Sequence, residues 1–127
     1  MESPDRRFET PEALSHDEVA EILGRALHDR SREPAAVDAL VGIALSDGDR
    51  GFVEQCCLEV GTRAAAGSPL LGLAGLCLGH VARRFGSLSD EAIALAEALA
   101  ARARLDTTDV DGRALDGIED IRRYLRA

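Results

Sequence analysis

The chain reads as an all-α protein: six helices forming a right-handed stack of about three antiparallel helical hairpins. Three observations lead there. From Leu70 to Ala82 nearly every position is apolar or glycine. A helix over that stretch is oily around its whole circumference and has to be covered on several sides. Runs before and after it repeat apolar residues at helical spacing, and none alternates with the period of a strand. Aromatics are only 3% of residues, with no Trp, so the core is built from Leu, Ala, Val and Ile, which suits close helix packing. With 127 residues the chain makes one domain that buries roughly two-thirds of the surface its unfolded form exposes.

Residues 1–14 form a polar lead-in broken by Pro4 and Pro11, read as flexible, and residues 15–127 form the helical domain. Phe8 is the only aromatic of the lead-in and its one candidate for pinning to the body. Helix one starts at Ser15, which with Glu18 has capping-box spacing. Val19, Ile22, Leu23, Ala26 and Leu27 share one face, and the charged run His28 to Glu33 ends the helix. Pro34 suits the first turn of helix two, whose apolar face is Val37, Leu40, Val41, Ala44 and Leu45. Ser46-Asp47-Gly48-Asp49 is a turn, with Gly48 free to take a positive φ and Asp49 placed to cap helix three. Helix three runs from about Arg50 to Ala65 and buries Val53, Cys56, Cys57, Val60 and Ala64.

Ser68 caps the central helix, Pro69 takes its first turn and Gly86 ends it. Gly72, Gly75 and Gly79 each weaken that helix by about 1 kcal/mol relative to alanine. Three of them make sense where neighbouring backbones approach closely. Ser89 caps helix five, whose broad face is Ile93, Leu95, Ala96, Leu99, Ala100 and Ala103. The acidic turn Asp106 to Gly112 leads to helix six, with Leu115, Ile118, Ile121 and Leu125 inward. Arg122, Arg123 and Arg126 lie at its end, where positive charge suits the helix dipole.

All 15 basic residues are Arg, a pattern that with the Ala and Gly richness points to a GC-rich bacterial genome. The net charge of −8 argues against a general nucleic-acid binder, which needs a positive face to displace counterions. It suits a basic protein partner. Cys56, Cys57 and Cys77 are an odd set in apolar helical runs and read as reduced core thiols of a cytoplasmic protein. No apolar signal core opens the chain, and the central apolar run is too short to span a bilayer.

Helices with similar apolar faces, separated by short turns, suggest stacked hairpins. Asp47-Gly48-Asp49 and Asp109-Val110-Asp111 each precede such a helix. This pattern, over roughly Pro34 to Arg126, resembles HEAT or armadillo-like repeats. The segments Gly72-Leu73-Ala74-Gly75-Leu76-Cys77-Leu78-Gly79-His80-Val81-Ala82-Arg83 and Ala114-Leu115-Asp116-Gly117-Ile118-Glu119-Asp120-Ile121-Arg122-Arg123-Tyr124-Leu125 resemble those of small bacterial HEAT-like proteins. Glu54, after Val53, stands where such repeats often carry arginine. The resemblance implies binding of other macromolecules along a curved surface, and for some members neutralisation of a toxin by an immunity protein.

Candidate chemistry is sparse. Cys77 and His80 share a helix face, but zinc needs four ligands or three plus water, and a nucleophilic thiolate needs an exposed, positive pocket. His80, alone in its apolar helix, reads as a structural polar anchor between helices. Asp109-Val110-Asp111-Gly112 fails as a calcium loop, because Ile118 would stand where a bidentate glutamate is needed. No catalytic, metal or cofactor site is expected. The partner surface is placed on Asp116, Glu119 and Asp120 of helix six, together with Asp47, Asp49 and Glu54. Clustered carboxylates there would attract a basic protein. The expected function is a non-enzymatic protein-interaction module, of the immunity type against a basic toxin. The alternatives are a homo-oligomeric structural repeat that self-associates through helix five, and, third, a HEAT-like enzyme.

Overall fold

A computed structural model describes residues 14–125; the expectations for Phe8 and the rest of the lead-in up to residue 13, and for Arg126, lie outside that range. The described residues form six α-helices and one 3-10 turn, with no strand. They are α1 (His16–Ala26), α2 (Glu33–Ser46), α3 (Arg50–Arg63), α4 (Pro69–Phe85), α5 (Asp90–Leu105) and α6 (Arg113–Tyr124), with the 3-10 turn Arg30–Arg32 before α2.

Most helix starts follow local chemistry. Ser15 and Glu18 make a reciprocal capping box, which satisfies two free amides at the start of α1. Asp49 accepts from the Phe52 N–H at 3.0 Å, Ser68 from Leu70 at 3.1 Å and Ser89 from Ala92 at 3.1 Å. Gly86 ends α4 in the left-handed region at φ 66°, where a Cβ would be strained. Gly48 does not take the positive φ expected of it. The Asp47 carboxylate accepts the Asp49 N–H instead and closes the turn as an Asx-turn.

Helices two apart in sequence lie side by side and parallel. In the layer of even-numbered helices, Glu33, Leu40 and Ala44 of α2 meet Ser68, Cys77 and Arg84 in ascending order. In turn, Gly72, Gly75 and Gly79 of α4 meet Asp111, Ala114 and Gly117. In the odd layer, Glu54 and Gly61 of α3 meet Ser89 and Leu95. Short turns join the layers into hairpins α1–α2, α3–α4 and α5–α6. Among the described residues the first hairpin does not touch the third, so the molecule is an open stack with α4 in its middle.

The three glycines of α4 all face α6. A methyl at Gly75 would lie 3.1 Å from the Ala114 Cα, and one at Gly79 would lie 3.0 Å from the Gly117 Cα. Gly117 in turn backs onto the Gly75 carbonyl. Close backbone approach explains this glycine pattern, and it adds dispersion contacts along the whole seam. Leu70, Leu71, Leu73, Leu78 and Val81 are buried, while Leu76 is only half-buried and marks the outer edge of the helix.

The expected face of α2 is rotated, and that of α3 holds for Val53, Cys56, Cys57 and Val60 but differs at its edges. The buried residues of α2 are Ala36, Ala39, Leu40, Ile43 and Ala44, so Leu45 turns out to solvent at 57% exposure. In α3, Ala64 is only half-buried and Glu54 joins the buried row instead. Small residues on one side of α2 allow α1 and α4 to approach, and that sets the rotation.

Candidate functional site

The six acidic residues expected at a partner surface divide into two groups. Asp47 shares a hydrogen bond with His16 Nε2 at 2.9 Å and accepts the Asp49 N–H at 2.8 Å. His16 is stacked on Phe52 with centroids 3.7 Å apart and planes 6° apart. Burial works to raise the Asp47 carboxyl, but these bonds and the charge of Arg84 outweigh it and hold it below its ordinary value. Asp49 is exposed and caps α3. Glu54 is only 5% exposed. Its carboxylate accepts the Ser89 N–H at 3.2 Å and lies 3.6 Å from Arg50 Nε. Glu54 is therefore an internal tie between the starts of α3 and α5, not part of an outer surface.

Asp116 and Glu119 lie on α6 away from its buried residues Ala114, Gly117, Ile118 and Ile121, and Asp120 flanks the seam with α4, its Cβ 3.1 Å from where a methyl on Gly79 would lie. Asp116 and Glu119 are exposed and Asp120 half-exposed. None of the three forms an ion pair with a described residue. Helical spacing puts Asp116, Asp120 and Tyr124 in one row. Tyr124 takes the Arg83 guanidinium 5.9 Å from its ring centroid, within cation–π range. Arg83 in turn shares a row of α4 with Leu76 and His80. The result is one surface spanning α4 and α6, with an acidic ridge beside Leu76, His80 and the Arg83–Tyr124 pair.

The sequence reads His80 as a polar anchor between helices. It is half-buried and makes no hydrogen bond with a described residue. One tie between α4 and α6 comes from an arginine, and a second arginine ties α5 to the turn before α6. Arg113 donates to the Pro69 carbonyl at 3.0 Å and grips Asp111 at 2.9 and 3.0 Å. Its hydrogen bond holds the Asp111 carboxyl below its ordinary value, against partial burial. Arg102 clamps Asp109 at 2.7 and 2.9 Å and lowers it likewise. These pairs went unread in the sequence because nothing in the spacing distinguishes a paired Asp from a capping one.

The thiols are chemically quiet. Burial pushes Cys56 and Cys77 up to about 12, and fully buried Cys57 well above its ordinary value. A neutral, enclosed thiol is a poor nucleophile and a poor metal ligand. Among the described residues, no group of three His, Cys, Asp or Glu is placed to hold a metal ion. An open depression of about 440 Å³ lies at the starts of α2 and α4 between Arg30, Val37, Asp38 and Pro69. No helix among the described residues is long and apolar enough to cross a membrane.

No protein-family model, curated protein or solved structure matches the chain.

Proposed function

We propose that the protein is a non-enzymatic binding module that presents the α6 ridge of Asp116, Glu119 and Asp120 to a basic protein partner. The observation that carries this reading is the contrast among the carboxylates. Asp47, Glu54, Asp109 and Asp111 are taken up by internal partners, whereas no described residue pairs with the carboxylates of the α6 ridge. Leu76 and Tyr124 beside it offer apolar and aromatic surface of the kind that anchors interfaces. The net charge of −8 supports attraction of a cationic surface from a distance. An immunity-type inhibitor of a basic toxin in the cytoplasm, of HEAT-like descent, is the specific form this takes; its support is the sequence resemblance.

The test compares the full chain with a triple variant, Asp116→Asn, Glu119→Gln and Asp120→Asn. A basic protein co-purifying from the native host should associate more slowly with the variant, and its association with the parent should weaken steeply with salt. Asp49→Asn serves as a control that leaves association unchanged. Equal binding by parent and triple variant would sink the ridge as the site.

A second reading has one specific observation behind it. Ala94, Ala98, Ala101 and Leu105 form an exposed row on α5, and Leu105 is 87% exposed. A homo-oligomer packed through this row would be a structural repeat protein. A monomer mass by light scattering at high concentration removes that reading.

A further inference from the structure

The surface shared by α4 and α6 changes the sign of its charge along its length. Asp116, Glu119 and Asp120 occupy the middle of α6. Arg123 follows one turn later, and Arg83 of α4 lies 5.9 Å from the neighbouring Tyr124 ring. Asp116, Glu119, Arg123, Tyr124 and Arg83 are exposed, and Asp120 and Leu76 partly so. Most described arginines pair with a carboxylate of their own chain, but Arg83 and Arg123 pair with none among the described residues. Glu119 and Arg123 have the spacing of a helical ion pair, and they too are left unjoined.

We propose that this surface pairs with itself: a second copy of the chain docks antiparallel, α6 on α6, about a two-fold axis level with Ile121. An occupant of the whole surface has to be basic at one end and acidic at the other, and the chain's own surface has that pattern. A two-fold contact uses the same patch on both sides, so residue i meets j and j meets i. Glu119 and Arg123 lie two residues, ~3 Å along the helix, on either side of Ile121. Each copy's Glu119 therefore faces the other's Arg123, which gives two opposite-charge contacts. A parallel placement sets acid on acid and is disfavoured. Leu76 lies level with Gly117, so the same axis brings Tyr124 over the second copy's Leu76 and adds apolar contact. Pairing covers the acidic ridge, so a basic partner has to displace the second copy. That consequence rests on the binding role given to the ridge, whereas the pairing itself does not.

Sedimentation of the full chain over a concentration series should show a monomer–dimer equilibrium that moves toward monomer with added salt. Glu119→Arg and Arg123→Glu both change exposed side chains and should leave the helical circular dichroism unchanged. Each alone sets like charges together at both contacts and should weaken pairing by about tenfold or more. Mixed in equal amounts, the two variants should pair with one another, because each supplies the charge the other lacks. The doubly reversed chain, whose net charge equals the parent's, should pair with itself. The proposal is overturned by a parent that stays monomeric up to its solubility limit, or by single variants that stay monomeric when mixed. It is also overturned by a dimer that both single reversals leave intact, which would belong to the exposed row of α5. A monomeric parent leaves the ridge's basic partner to its own test. A dimer whose ridge variant binds a basic partner as well as the parent does overturns only the binding role of the ridge.

Discussion

Gly117 has no room for a methyl group. Its α-carbon rests on the carbonyl of Gly75, and the nearest atoms to an added Cβ belong to backbone. Backbone does not move aside the way a side-chain tip does. Gly117→Ala should therefore prise α6 from α4 and lower stability by about 2 kcal/mol or more. Gly24→Ala meets open space in the interior of α1 and should instead raise stability by about 0.5–1 kcal/mol. Chemical denaturation of the two variants checks both signs together; a Gly117→Ala as stable as the parent would remove the close seam. The buried thiols give a second prediction at this scale. Their folded values are raised, to about 12 for Cys56 and Cys77, while in the unfolded chain they titrate near 9.0. The folded state then holds protons that the unfolded state has released. Stability from this source is fully present below pH 9 and falls as the pH rises from there toward 12. Unfolding midpoints should drop across that range, less steeply in a Cys56→Ala chain, and thiol reagents at neutral pH should react only as fast as the protein opens.

Elements were readable where their signals are local. Ser15, Asp49, Ser68 and Ser89 each announce a helix start within three residues, and each is found capping. The α4 glycines were readable as a close seam, since the alternative, a locally weak helix, would leave three costly glycines without a compensating contact. Ties between elements were not readable, since their partners lie far apart: Glu54 with Ser89 at 35 residues, Arg113 with Pro69 at 44. Glu54 shows the consequence for the site. In sequence it looks like one more surface carboxylate beside the Asp47–Asp49 turn. Its position one residue after Val53 and three before Cys57 is the only hint that it belongs to the buried row. Removing it leaves the Ser89 N–H without its acceptor and Arg50 without its nearby carboxylate, so Glu54→Ala should cost about 1–3 kcal/mol. Glu54→Gln keeps an acceptor oxygen and should lose less. If both substitutions were neutral, the α3–α5 tie would have no energetic role. The row of carboxylates on α6 was readable for the opposite reason: Asp116, Glu119 and Asp120 lie outside that helix's apolar periodicity, and no described residue pairs with them.

At the scale of the molecule, an open stack predicts unequal stability along its length. α4 is covered by α2, α3, α5 and α6, whereas among the described residues α1 packs only on its hairpin partner, the 3-10 turn and α3. The first hairpin buries Val19, Leu23 and Ala26 from α1 and can open without disturbing any contact of α6. Cohesion between neighbouring hairpins alone gives this behaviour. Native-state hydrogen exchange should therefore show α1 amides opening at lower free energy than those of α4 and α6. Leu23→Ala sharpens the test. It removes a buried leucine at a cost of about 2–5 kcal/mol. Through local opening it should lower protection in α1 first and most, while the α4–α6 seam keeps its ordering as the last structure to exchange. Uniform loss of protection across all six helices would mean that the molecule unfolds as one unit, and the ridge on α6 would then be no better seated than the rest. Hierarchical loss would place that ridge on the part of the stack that persists longest, where a rigid docking surface loses least freedom when a partner binds.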